Sequence, residues 1–265
     1  MNFTIRPIGV VHSKITDRND MPLQGVPASI EIFNEFKAGL MGIEGDSHIN
    51  VICWLDKAER EPLLVRPRKI NPNLNERGVF SMRSPTRPNP LSLTATRLVN
   101  VEENMLFVDP LDVIDRSPVI DIKPYSALGD VIFWTRDLHS YLMQAYMEER
   151  EILTAFLREA YNYHGERCPD IAVGAKIAFD AMKKLNCNIK DVSVKIPQNV
   201  NTHLADCLIG ITRCTLGNAR LMVCRTDDIE IAYGSRSIKY KLKEILCEDP
   251  FEILKMDSNE LFMKM

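Results

Sequence analysis

Gly78-Val79-Phe80-Ser81-Met82-Arg83-Ser84-Pro85-Thr86-Arg87-Pro88-Asn89-Pro90 is the stretch around which the first half of the chain has to be built. Its prolines at 85, 88 and 90 fix φ and remove backbone donors, so the stretch is neither helix nor central strand. It reads as a stiff loop that presents Arg83 and Arg87 in fixed directions. A held guanidinium suits a planar acceptor such as a carboxylate, a phosphate or a stacked base. Asn89, between Pro88 and Pro90, adds a donor and an acceptor at a held position.

Outward from this loop, apolar and polar residues alternate in short runs: Thr4–Val11, Ala28–Phe33, His48–Leu55, Leu93–Val101, Met105–Val108 and Val119–Ile122. Pro, Gly, Asn and Asp separate the runs, which is the pattern of many short strands. Val99 to Phe107 reads as a hairpin, and one helical segment is expected over Asn34–Gly42. The fold expected here is all-β, an antiparallel, barrel-like sheet that is closed or nearly so. From Leu138 the apolar spacing turns helical, through Leu142, Ala145, Ile152, Phe156 and Ala160. Further helices are expected over Pro169–Leu185 and His203–Ile211, then strands over Arg220–Cys224 and Ile229–Tyr233 with Asp227-Asp228 at the turn between them. The second half is therefore α+β. We expect two domains, residues 1–135 and 145–250, with the long helix as a candidate connector.

The 265 residues are 45% hydrophobic and 26% charged, which suits a cored, soluble protein. A net charge of −3 excludes a general polycation, so any nucleic-acid contact has to be local. No run approaches the length of a membrane span, and the start lacks the layout of a secretion signal. Seven cysteines, an odd number, suggest reduced thiols and a cytoplasmic location.

Beyond the loop lie Asp112, Asp115, Pro118, Asp121, Lys123, Pro124 and Tyr125. Alternation places Asp121 and Lys123 on one face of a strand, where the plain reading is a solvated ion pair of little worth. In order along the chain, Ile8-Gly9-Val10-Val11-His12-Ser13, Gly45-Asp46-Ser47-His48-Ile49, Gly78–Pro90 and Pro118–Tyr125 resemble the TsaA/TrmO-like family. The resemblance implies an all-β methyltransferase that uses S-adenosylmethionine and works as a homodimer. Characterised members methylate N6 of threonylcarbamoyladenosine beside the tRNA anticodon. On that basis His12, Ser13, Arg83, Arg87, Pro88 and Asn89 are expected to hold the cofactor, and Asp115, Asp121, Lys123 and Tyr125 to be catalytic. Two motifs depart from the family: Pro90-Leu91-Ser92 replaces Pro-Ile-Gly, and Asp115-Arg116-Ser117-Pro118 replaces Asp-Gly-Thr-Pro. Both remove a glycine's backbone freedom beside the expected site. The basic residues Lys57, Arg60, Arg66, Arg68, Lys69, Arg77 and Arg97, with the two loop arginines, form a patch able to meet a phosphate backbone, and the resemblance implies that tRNA is the partner. A patch without a partner is the alternative.

In the second half, Pro169 suits the first helical position and puts Cys168 at the cap, where a helix dipole favours thiolate. With His164, His203 and Cys214 it makes a soft nitrogen and sulfur set suited to zinc or another transition metal. His164-Gly165-Glu166-Arg167-Cys168-Pro169 and His203-Leu204-Ala205-Asp206, then Thr212-Arg213-Cys214-Thr215, resemble the FmdE family, which is named for formylmethanofuran dehydrogenase. That implies a metal-binding accessory domain. Two other functions remain open: methylation of a small thiol or one-carbon metabolite, and a non-enzymatic metal-binding protein.

Overall fold

The computed structural model describes residues 4–67, 74–133 and 148–265. The chain divides into two compact units, residues 1–135 and 136–265. Among the described residues no helix is long and apolar enough to cross a membrane.

The first unit is a closed antiparallel barrel. Its strands are β1 (Gly9–His12), β2 (Val26–Ile32), β3 (His48–Trp54), β6 (Leu91–Glu102), β7 (Met105–Leu111) and β8 (Pro118–Pro124), neighbours in the order β1-β2-β7-β6-β3-β8. A two-stranded ribbon of β4 (Leu64–Val65) and β5 (Arg77–Gly78) stands apart from it. Alternation decides which residues go inside: in β3, Ile49, Val51 and Cys53 are fully buried while the residues between them are not. Val11, Ile30, Leu106, Val108 and Val119 fill the same core. Burial pushes the Cys53 thiol up to about 12, so this cysteine stays protonated and serves as packing. Closure removes the exposed edges that a flat sheet would leave.

The hairpin read from the sequence forms between β6 and β7, with Glu102 opposite Met105. The segment after β2 is a 3-10 helix, Asn34–Leu40, rather than an α-helix, and it contains no fully buried residue. Phe36, Leu40 and Ile43 pack against the barrel core, and their chain connections place them at the end where β3 starts. The β6–β7 turn lies at that same end, and the antiparallel registers gather three other loops at the opposite one. The loop after β1, the segment between β3 and β6, and the loop from β7 to β8 all open there.

The second unit layers helices on a five-stranded sheet. A one-turn helix α1 (Ala127–Asp130) belongs to the first unit; the second holds α2 (Glu149–His164), α3 (Pro169–Leu185), α4 (Thr202–Thr212), α5 (Pro250–Lys255) and α6 (Ser258–Leu261). The continuous helix expected from Leu138 to Ala160 is corrected. Residues 138–147 lie outside the described residues, and Glu148 is non-helical, forming a capping box with Glu151 that starts α2 afresh. The sheet order is β10-β9-β11-β12-β13, built from β9 (Ser193–Pro197), β10 (Leu221–Cys224), β11 (Ile229–Tyr233), β12 (Arg236–Leu242) and β13 (Phe262–Lys264). Asp227-Asp228 lies between β10 and β11 in sequence, yet β9 sits between these strands in the sheet, parallel to one and antiparallel to the other.

α3 is the centre of this unit, with Ile171, Ala175, Ile177, Ala178 and Ala181 fully buried. Asp180 on it ties down the C-terminal strands. It accepts from the Tyr240 hydroxyl at 3.0 Å and from Lys264 Nζ at 2.9 Å. Burial first, and then the Asp180 charge, raise the Tyr240 phenol well above its ordinary range. Asp180→Ala would strand a buried hydroxyl, and the expected cost is about 2–3 kcal/mol, read as a lower urea midpoint for the second unit. An unchanged midpoint would count against this account.

Candidate functional site

At the loop end of the barrel, two motifs far apart in sequence are stitched together. Ser13 N donates to Asp115 Oδ1 at 3.0 Å, Asp115 N donates to Ile15 O at 2.8 Å, and Arg116 N donates to Val11 O at 2.8 Å. Arg116 takes the left-handed conformation, φ 64°, the position where the family has glycine. Asp115 is three-quarters buried and its Oδ2 lies 3.7 Å from Arg116 Nε. Next to it, Asp112 Oδ1 accepts from Thr94 Oγ1 at 2.5 Å.

The proline loop lies at the same end, because Trp54 pairs with Leu91 there. Within the loop, the Arg87 side chain turns toward the loop's own backbone. That guanidinium donates through Nε to Ser84 O at 2.9 Å and through Nη2 to Met82 O at 2.6 Å and Val79 O at 3.3 Å. Arg87 is thus the organiser of the loop. Arg83 Nη2 donates to the Leu93 carbonyl of β6. Asn89 is exposed, and its carbonyl accepts from Leu91 N at 2.8 Å, turning the chain into β6 just after Pro88.

His12 does not join this group. Its Nε2 pairs with Glu31 Oε2 at 2.8 Å on the outer wall between β1 and β2. The four catalytic candidates are also spread along the barrel. Asp121 Oδ2 and Lys123 Nζ pair at 2.8 Å, and the hydrogen bond to Asp121 raises the lysine. A register shift between Ile52 and Cys53 lets Val119 and Ile122 both face the core while Asp121 and Lys123 share the outside. Tyr125 lies at the opposite end from Asp115, its N–H donating to His48 O at 3.1 Å and its ring 6.3 Å from the His48 ring. Burial and then Arg97 lower the His48 imidazole. Near it Asp130 Oδ2 accepts from Asn50 Nδ2 at 3.2 Å and Ser126 N at 2.8 Å. The sequence carried no signal for Asn50 or Thr94, whose side-chain partners lie 80 and 18 residues away and are met only once the barrel forms.

In the second unit, three of the four expected metal ligands converge. His164 ends α2, Cys168 is the N-cap of α3 with Pro169 next, and His203 lies in the first turn of α4. One donor atom from each lies within 4.8 Å of the others. The His164 and His203 rings are 4.5 Å apart. His164 Nε2 and His203 Nδ1 are buried with no hydrogen-bond partner. Buried ring nitrogens left unpaired are costly, and a metal ion would satisfy both, so the residues fit one. Gly165, at φ 92°, turns the chain sharply between the first two ligands.

Cys214 is not part of the group. It is fully buried, and its Sγ donates to Val192 O at 3.1 Å. The reason is helical geometry: His203 lies in the first turn of α4 and Cys214 follows its last residue, Thr212, so the nine helical steps between them, about 13–14 Å at 1.5 Å per residue, keep them at opposite ends. Glu166 is exposed and is likewise outside the group.

Residues 10–131 match the model of the tRNA-methyltransferase O N-terminal domain, and residues 163–248 match that of FmdE, molybdenum formylmethanofuran dehydrogenase operon. A probable S-adenosyl-L-methionine-binding protein of Archaeoglobus fulgidus is 35% identical over 82% of this chain and 60% of its own length. An S-adenosyl-L-methionine-binding protein of the same organism is 48% identical over 48% of this chain and 93% of its own. A solved structure, TrmO from Pseudomonas aeruginosa, is 27% identical over 52% of this chain and 62% of that one, with a TM-score of 0.44. The chain thus spans under two thirds of the first of these relatives and of that structure. Its barrel half is nonetheless matched across nearly the whole of a 48%-identical relative, and on that ground the chain belongs to the family of the tRNA-methyltransferase O N-terminal domain, with an FmdE-like region following it.

Proposed function

We propose that this chain is a methyltransferase that binds S-adenosylmethionine at the loop end of its barrel and transfers the methyl group to N6 of a modified tRNA adenosine beside the anticodon. The observation that carries the reading is the tie between Ser13 and Asp115 beside the Arg87-braced proline loop. It brings three family motifs to one end of one barrel. Relatives named as S-adenosyl-L-methionine-binding proteins support the cofactor.

Methyl transfer from a sulfonium is an in-line displacement, so the protein's main task is to hold donor and acceptor in line. Ser13, Arg83, Pro88 and Asn89 would frame the cofactor, with Arg87 acting through the loop. Asp115 has one oxygen committed to Ser13 N; the other can orient an amine or a sugar hydroxyl. A neutral amine needs no strong base before attack, only an acceptor for its proton afterwards, and Asp115 can relay that proton to water. In this reading Asp121 with Lys123, and Tyr125, spread along the outside of the barrel away from Asp115, would meet the RNA rather than the reacting atoms. The patch that includes Lys57, Arg60, Arg66 and Arg77 would meet the backbone, in a homodimer acting in the cytoplasm.

His164, Cys168 and His203 would hold zinc or another transition metal. Such an ion supplies Lewis acidity and binds thiolates. That soft donor set favours one further reading: a small thiol or one-carbon metabolite as methyl acceptor.

The deciding experiment supplies labelled S-adenosylmethionine with total tRNA or with a small-molecule extract, with and without a chelator. Label in tRNA, with binding that weakens steeply as salt rises, is the expected result. Chelator-sensitive label in a small thiol would install the second reading. No transfer to either pool would overturn both.

A further inference from the structure

The His/Cys centre has a neighbour to which no role has been given. Asp206 sits on α4 one turn after His203, and its Oδ2 lies 3.1 Å from Nδ1 of His164. The contact joins two helices across 42 residues of sequence. The imidazole is deeply set, its side chain 10% exposed, whereas the carboxylate is 42% exposed. The other ring nitrogen, Nε2, is the buried atom without a partner.

A neutral imidazole carries one proton, and the nitrogen without it has the lone pair a metal needs. A carboxylate can only accept a hydrogen bond, so it holds the proton on the nitrogen it faces. We propose that Asp206 is a positioning residue for the metal centre: by accepting the Nδ1–H of His164 it commits Nε2 to the ion and fixes the ring's direction. The proposal rests on the metal reading of His164, Cys168 and His203. Asp206 itself stays outside the coordination sphere, since its carboxylate is not among the atoms gathered within 4.8 Å.

Holding a ligand histidine through its far nitrogen preserves both tautomer and ring angle, and losing such a partner costs about 10–100-fold in metal affinity. Asparagine is the telling replacement. It has nearly the shape of aspartate but can turn its NH2 group toward Nδ1, which would stabilise the tautomer with the proton on Nε2. Glutamate keeps the carboxylate, and with Asp206 partly exposed the longer chain has room to reach.

The test uses the full chain and two readouts. The first is the His164 tautomer in metal-free protein, from 15N shifts of the imidazole nitrogens, assigned with a His164→Gln control. The second is affinity for Zn2+ alone, by competition with a chromophoric chelator. Wild type is expected to carry the proton on Nδ1. Asp206→Asn should move it to Nε2 and weaken Zn2+ binding about 10–100-fold. Asp206→Glu should restore the Nδ1–H tautomer and most of the affinity. Wild-type tautomer and affinity in Asp206→Asn would overturn the positioning role while leaving the metal reading intact. A wild-type chain that binds no Zn2+ would instead overturn the metal reading, and this proposal with it. Should Asp206→Asn fail to fold, Asp206→Glu and the wild-type tautomer still decide, because a wild-type proton on Nε2 contradicts the proposal outright.

Discussion

Arg87→Ala should slow methyl transfer about 100-fold while the barrel stays folded. The guanidinium spans the loop from within, bonded to the carbonyls of Val79, Met82 and Ser84, and Arg87 N also donates to Glu59 O at 3.2 Å. Prolines fix φ at three loop positions but leave ψ and the residues between them free, so stiffness here needs the arginine as well. Without it Pro88 and Asn89 lose their fixed position, and a displacement near 1 Å at a positioning site is worth about 10²-fold in rate. The barrel core, built from Ile30, Val51, Leu106 and their neighbours, does not include the loop, so the melting temperature should hardly move. Arg87→Lys sharpens the test. An ammonium keeps the charge but cannot reproduce a planar fork that reaches three carbonyls through Nε and Nη2, so it should be nearly as slow as alanine. Initial rates with labelled cofactor, alongside thermal melts, give the answer. A lysine variant as fast as wild type would mean the charge, not the brace, is what matters.

Arg87 also illustrates what a sequence can and cannot disclose. The density of proline marks the loop and predicts its rigidity. It does not say whether a guanidinium faces a ligand or its own backbone, because that depends on ψ angles proline leaves open. The barrel was legible because period-two alternation survives in β3 and β7, and the hairpin because polar Glu103-Asn104 interrupts two apolar runs. Asp121 and Lys123 share a face as alternation requires, but the register shift beside them redirects Val119, which alternation alone would have put on that same face. In the second unit His164 and Cys168 were legible because Gly165 and Pro169 mark a helix end and a helix start. His203 and Cys214 are alike as soft ligands, but they flank opposite ends of α4, and the Cys214 thiol beyond its last residue is buried in the core. β12 escaped notice since Arg236-Ser237-Ile238-Lys239-Tyr240-Lys241-Leu242 buries only Tyr240 among charged neighbours. Asp206 was visible as part of a motif, but its role appears only when α2 and α4 are side by side.

Gly174→Val should cost the second unit more than 3 kcal/mol and take the metal centre with it. α3 and α4 touch at this point: a Cβ on Gly174 would lie 2.5 Å from Cys207 Sγ, 2.9 Å from Cys207 Cβ and 2.9 Å from Leu204 Cδ1. Leu204 and Cys207 are themselves almost fully buried, and Cys207 Sγ is tied to Ile171 O at 3.1 Å, so neither can swing aside. Overpacking of a filled core costs about 1–3 kcal/mol for modest insertions, and valine adds two further methyl groups in a helix that already disfavours β-branching. The helices can only separate. α3 begins at Cys168 and α4 carries His203 in its first turn, so separation pulls two of the three donors apart. Urea unfolding and Zn2+ competition should therefore fail together in this variant. Gly174→Ala should be milder, because alanine regains up to about 1 kcal/mol of helix propensity against the same contact. Adding Cys207→Ala removes the sulfur at 2.5 Å, and the pair should be more stable than the sum of the two single changes. Strict additivity, or a valine variant as stable as wild type, would show that the two helices are held apart by something other than this glycine.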